Sequence, residues 1–124
     1  MNPETTLLRQ VHPHFISDGQ PSSQAFMPFP KDDGKLSVYD GDQTSAAESY
    51  KHSTEVLKND SDSVWGITCA ETTETGLTSA SAPQENFPAH ALIDFTAHPE
   101  KTFRKLAKKL KMFAIARGCL YSPR

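Results

Sequence analysis

The chain has 124 residues, nine prolines, six glycines and an apolar fraction of 36%, which bounds it to one domain with a modest core and long loops. Two distant cysteines, Cys69 and Cys119, exclude a disulfide framework and a thiolate zinc site. No apolar run approaches the roughly 20 residues of a membrane span, and "MNPETTLLRQ" lacks the basic-then-apolar pattern of a secretory signal, so a reduced, cytoplasmic protein is expected. The net charge of −2 conceals a segregation. From Glu100 onward, eight basic residues and one acid give +7, which leaves five basic and fourteen acidic residues, or −9, for the rest.

"TTLLRQV" at 5–11 predicts a strand with Leu7, Arg9 and Val11 on one face and Leu8, Gln10 and His12 on the other. Pro13 restricts His12 to an extended conformation. Residues 13–34 contain four prolines, two glycines and Phe15, Phe26 and Phe29, the pattern of a long loop held in order by its aromatics. "KDDGK" is a turn signal. "KLSVY" at 35–39 predicts a strand with Leu36 and Val38 inward. "TSAAESYKHSTEVLK" predicts a helix opened by a capping box of Ser45 and Glu48, with Ala46, Tyr50, Thr54 and Leu57 along one stripe.

"VWGITCAE" at 64–71 predicts a strand that places Trp65, Ile67 and Cys69 on one face. Residues 72–88, rich in Ser and Thr, read as a mobile polar loop. "AHALIDF" at 89–95 predicts a further strand, with Ala91, Ile93 and Phe95 opposite His90, Leu92 and Asp94. The last element is a basic amphipathic helix over 99–117. Pro99 suits its first position, Phe103, Leu106, Ala107, Leu110, Phe113 and Ala114 form its apolar face, and Gly118 ends it. The fold expected is α+β: a small mixed or antiparallel sheet of about four strands with two helices packed on one face.

Four constellations carry candidate chemistry. His12, His14 and His90 would make a three-histidine metal site only if their segments converge; the competing expectation is histidines bonded to backbone groups, and no metal is assigned. Arg9, His12, Ser22, Ser23, Ser37, Tyr39 and His90 outline a polar pocket, with His12, His90, Arg9 and Ser37 as catalytic candidates. Among nucleophiles, Cys69 reads as a core residue and Cys119 has no evident base. A GxSxG elbow is absent, and "HST" at 52–54 lacks the second copy that two-histidine phosphoesterases use. With neither P-loop nor GxGxxG after a strand, no cofactor is expected.

The fourth constellation is the C-terminal helix, whose Lys101, Arg104, Lys105, Lys108, Lys109 and Lys111 form a basic face. Such a face suits a protein partner or acidic surface, or a nucleic acid through counterion release. The pI of 6.2 and the lack of aromatics among the lysines disfavour the nucleic acid.

A strand carrying Arg9 and His12, a second carrying Ser37 and Tyr39, and then "AAESY" is similar to the nucleotide-gripping layout of small ADP-ribosyltransferases. The resemblance covers under half of the chain. It implies that Arg9 or His12 contacts a nicotinamide dinucleotide, that Ser37 or Tyr39 shapes its pocket, and that Glu71 is the late activating glutamate. No motif demands catalysis, so the leading expectation is a small binding or accessory protein acting through the basic helix and the Phe/Pro loop. A small enzyme using the polar pocket and a nucleic-acid-binding module are the alternatives.

Overall fold

The computed structural model describes residues 1–124. The strands are β1 (Thr6–Val11), β2 (Ile16–Ser17), β3 (Gln20–Pro21), β4 (Lys35–Asp40), β5 (Ser63–Thr68), β6 (Thr78–Ser81) and β7 (His90–Asp94). The helices are α1 (Ala46–Lys51), α2 (Cys69–Thr75) and α3 (Phe103–Arg117). Five strands form one antiparallel sheet in the order β5-β1-β4-β7-β6, and β2 and β3 form a separate hairpin. The α+β class therefore holds. No helix is long and apolar enough to cross a membrane.

The five strands of the main sheet are close to the four expected, but helices cover both of its faces where the sequence placed them on one. Leu7, Val11, Leu36, Val38, Trp65, Ile67, Ala91 and Ile93 pack with Leu106, Ala107, Leu110 and Ala114 of α3 on one side. On the other side Leu8, Tyr39, Val64, Phe87 and Ala89 pack with Ala46 and Tyr50 of α1. The reason is that neighbouring residues on a strand point to opposite faces. Adjacent apolar residues such as Leu7 and Leu8, Val38 and Tyr39, or Val64 and Trp65 therefore need cover on both sides.

Residues 72–88 are not one loop. The "TCAE" sequence at 68–71 is a capping box: Thr68 Oγ1 accepts from the Glu71 N–H at 3.1 Å and the Glu71 carboxylate accepts from the Thr68 N–H at 2.9 Å. It ends the strand at Thr68 and starts α2, so Cys69 is a buried first-turn helical residue. Gly76, at φ 91°, closes α2 in the left-handed conformation that glycine adopts freely. Thr78–Ser81 then forms a short, polar edge strand on β7, a composition that discourages pairing with other chains.

The Phe/Pro segment is ordered by local turns. Asp18 (φ 54°) and Gly19 (φ 78°) turn the β2–β3 hairpin, the residue pair that the twist-matched two-residue turn favours. Ala25 and Phe26, on a 3-10 turn, are fully buried against the α3 side of the sheet. Phe15 is half-buried, and Phe29 is 39% exposed. A 3-10 turn at Glu100–Thr102 leads into α3, so Pro99 precedes the turn and the α-helix begins later than the proline suggests. The C-terminal tail covers the outer edge of β5, where Val64 and Tyr121 form an antiparallel bridge and Arg124 makes a two-pronged contact with Asp62 at 2.7 and 3.0 Å.

The ladder between β1 and β4 is short. They pair at Leu7 with Asp40 and at Leu8 with Tyr39, while β1 stays with β5 from Thr6 to Val11 and β4 stays with β7 from Lys35 to Tyr39. The closed end of this split is pinned by Gly41, whose N–H donates to the Thr6 carbonyl at 2.8 Å. A Cβ at Gly41 would collide with that same carbonyl oxygen. Gly41→Ala is therefore expected to cost about 1–3 kcal/mol, read as a lower denaturation midpoint. An unchanged midpoint would show that the junction yields freely.

Candidate functional site

Beyond Leu8 the two strands diverge, and the Arg9 side chain fills the opening. Its Nε donates to the Ala25 carbonyl at 2.7 Å and its Nη1 to the Ser37 carbonyl at 2.9 Å. Both partners are neutral, and Arg9 forms no ion pair. Burial lowers its pKa to about 10, with the more distant Asp32 acting in the opposite direction; it remains a cation at neutral pH. Arg9, Gln10, Ser37, Ser53 and Asn59 line two adjoining cavities, of about 290 and 490 Å³.

The smaller cavity holds most of the polar contacts. The His90 Nδ1 lies 2.8 Å from the Ala82 carbonyl and its Nε2 lies 3.1 Å from Ser37 Oγ. A carbonyl only accepts, so Nδ1 carries the hydrogen and Nε2 accepts from the Ser37 hydroxyl. A serine bonded to an imidazole that a third group orients has the connectivity of an activated nucleophile, although the orienting group here is a backbone carbonyl. Tyr39 Oη and His52 Nδ1 are 2.6 Å apart, and His52 Nε2 is 2.6 Å from the Asn86 carbonyl. By the same logic Tyr39 donates to His52. Burial raises the Tyr39 pKa to about 12, with a Ser53 hydrogen bond opposing, so the phenol keeps its proton.

A π-helical turn at His52–Val56 continues α1 and brings Ser53 to the cavity wall. Lys58, left-handed at φ 59°, reverses the chain, and the Asn59 N–H closes the turn on the Ser53 carbonyl at 2.9 Å. Neither Ser53 nor Asn59 stood out in the sequence. The irregular turn that aims them depends on packing and has no local motif.

The histidines do not converge. His90 lies across from Tyr39, which lies across from Leu8, so His12 is four residues further along β1, roughly 13 Å along the sheet. His12 Nδ1 accepts from the His14 N–H at 3.0 Å, and His12 Nε2 is 3.8 Å from Asp60. Both border the larger cavity, with Lys31 and Asp32. No group of three or more His, Cys, Asp or Glu side chains is arranged to hold a metal ion. Of the four catalytic candidates, Arg9, Ser37 and His90 meet, and His12 stands apart at the far end of the adjoining cavity. Ser22 and Ser23 line neither cavity.

Glu71 is also elsewhere. It caps α2, next to the end of β1 opposite His12, since Thr68 pairs with Thr6. Arg117 of α3 grips it through two bonds of 2.9 Å. The Arg, Ser and Glu set implied by the resemblance to ADP-ribosyltransferases is therefore not assembled in one place.

The basic helix presents a second surface. Arg117 and Arg124 are taken by Glu71 and Asp62, while Lys101, Arg104, Lys105, Lys108, Lys109 and Lys111 form no ion pair. At about 100° per residue, the five of these on α3 fall within an arc of about 160°. Met112, 70% exposed, sits among them. The N-terminal end of this face borders a cavity of about 580 Å³, where Met27–Pro30 faces Lys101, Phe103 and Arg104. The Phe/Pro segment and the basic helix, far apart in sequence, thus share one surface.

Comparison with protein-family models, curated proteins and solved structures finds no match for the chain.

The ion pair on Glu71 has a pH signature. Burial would raise the pKa of Glu71, but the Arg117 guanidinium and the Thr68 N–H outweigh it and hold the carboxyl below its ordinary 4.5. A carboxyl depressed in the folded state contributes stability that is complete above its unfolded pKa and is lost as pH falls through the folded one. Glu71→Gln should lower the melting temperature at neutral pH and make its decline below about pH 4.5 shallower than in the parent. Parallel melting curves against pH for the two proteins would contradict this account.

Proposed function

We propose that the chain is a binding or accessory protein that engages an acidic, partly apolar segment of a partner protein. The contact surface is the α3 face together with the cleft beside Phe29. The observation that carries this reading is the row of unpaired cations Arg104, Lys105, Lys108 and Lys109 on α3, which adjoins a cleft lined by Phe29 and Phe103 where Asp33 and Glu100 balance Lys101 and Arg104.

The physical case rests on complementarity. Unpaired cations on one helix face accelerate encounter with an acidic surface and set its orientation. Affinity then has to come from a desolvated centre, for which the half-exposed Phe29, the proline-lined wall and Phe103 supply apolar area. Arg104, Lys105, Lys108 and Lys109 are exposed, so the face is available without unfolding.

A glutamate-rich peptide carrying phenylalanine and leucine, followed by fluorescence anisotropy, tests the reading. Binding should weaken at least tenfold between about 50 and about 300 mM salt. It should also be lost in Arg104→Glu/Lys108→Glu, while Phe29→Ala lowers affinity with little change in salt dependence. Tighter binding of duplex DNA than of the peptide would overturn the proposal in favour of nucleic-acid contact. Peptide binding that ignores both salt and the charge reversals would also overturn it.

A further inference from the structure

We infer that the 290 Å³ cleft between β4 and the π-helical turn is a binding site for a small molecule ending in a carboxylate or phosphate, with Arg9 as its anchor. This goes beyond the proposed docking surface, uses different residues and would survive that proposal's failure.

The first reason is the state of Arg9. A guanidinium has five N–H donors in a fixed fork, and the chain uses Nε and one hydrogen of Nη1. Nη2 makes no hydrogen bond and is not among the fully buried, unpartnered atoms, so it keeps some exposure to solvent where the two cavities adjoin. With Nε committed to Ala25, the Nη1–Nη2 edge is the one left to meet a carboxylate or phosphate in two parallel bonds. Arg9 is half-buried, bonds only neutral carbonyls and forms no ion pair, so its charge is left free for a ligand.

The second reason is the composition of the wall. Apart from Arg9, it is formed by neutral polar and apolar residues, with no Asp or Glu among them. The body of the chain before Glu100 carries fourteen acids, so the acid-free wall of this smaller cleft is a local reversal of charge, in contrast to the larger cavity that Arg9 also borders, which carries Asp32 and Asp60. The nearest influence of opposite sign, Asp32, lines the adjoining cavity and commits Oδ2 to the Phe29 N–H at 3.0 Å. The neutral groups complete the site. Asn59 and Gln84 bring amide donors, Ser37 and Ser53 bring hydroxyls, and Phe87, Leu57 and Tyr39 offer an apolar floor for an uncharged body. A volume of about 290 Å³ is at the lower end for small-molecule sites, which fits a compact metabolite.

The test uses inorganic phosphate and succinate as probes, titrated into the full chain by calorimetry and by thermal shift. Arg9 holds two backbone carbonyls, so its removal perturbs folding. Informative variants are therefore Asn59→Asp and Gln84→Glu, which put an acid on the wall at exposed positions. Saturable binding of either probe is expected, weakened at least tenfold in both wall variants and unchanged in Lys105→Glu/Lys108→Glu. Preference for phosphate or for succinate identifies the headgroup, and either preference supports the site. No saturable binding of either ion, or binding lost in the helix variant and retained in the wall variants, would overturn the proposal.

Discussion

The position of Arg9 between two strands is the constraint on which the rest of the molecule turns. A sheet satisfies its backbone by continuous ladders, and a ladder that stops after Leu8 and Tyr39 leaves carbonyls without partners. Leaving such groups buried and unbonded costs about 1–3 kcal/mol each. Arg9 supplies a donor to the Ser37 carbonyl of β4 and another to the Ala25 carbonyl of the 3-10 turn and so joins β1, β4 and the Phe/Pro segment at one point. The same act places a half-buried cation on the wall of the two cavities. An aliphatic side chain at this position would leave the carbonyls bare, and a lysine has no planar fork with which to reach two of them while keeping an edge free. Structure and potential function are thus coupled at one side chain: the group that repairs the split also gives it charge.

Charge segregation has two parts as well. Of the eight cations from Glu100 onward, Arg117 and Arg124 are fasteners. Arg117 ties the end of α3 to the start of α2 through Glu71, and Arg124 ties the tail to β5 through Asp62. Both are two-pronged contacts, the geometry in which arginine differs most from lysine. The remaining six, on α3 and the turn before it, have no anionic partner within the chain. Exposed charges of this kind contribute little to stability, so their grouping on one face bears on association more than on folding.

Much of the fold was legible because its signals are local. Alternation in "TTLLRQV", "KLSVY" and "AHALIDF" located β1, β4 and β7, and the three- and four-residue spacing of Leu106, Leu110 and Ala114 located α3. The Ser45 cap was equally plain. Residues 72–88 misled because threonine and serine dominate both loops and polar edge strands. The "TCAE" capping box nonetheless marks the start of α2, and the adjacent apolar pairs on β1, β4 and β5 already call for cover on both faces. The site was legible only in pieces. Arg9, Ser37 and His90 were identifiable as polar residues on strands, but their meeting depends on β1 and β7 flanking β4, and no spacing in the chain encodes that order.

By itself, then, the sequence determined the α+β class, the principal strands, the amphipathic helix and the separation of its cations from the acidic body. Each follows from periodicity, capping or charge count, which are properties of neighbours along the chain. Only the tertiary structure decided that β1 parts from β4 after Leu8, that Arg9 enters the opening without an anionic partner, and that His12 lies too far along the sheet to meet His90. It also decided that the Phe/Pro segment and the basic helix border one cleft. These are contacts between residues distant in sequence, set by strand order and by the requirement that every buried backbone group find a partner.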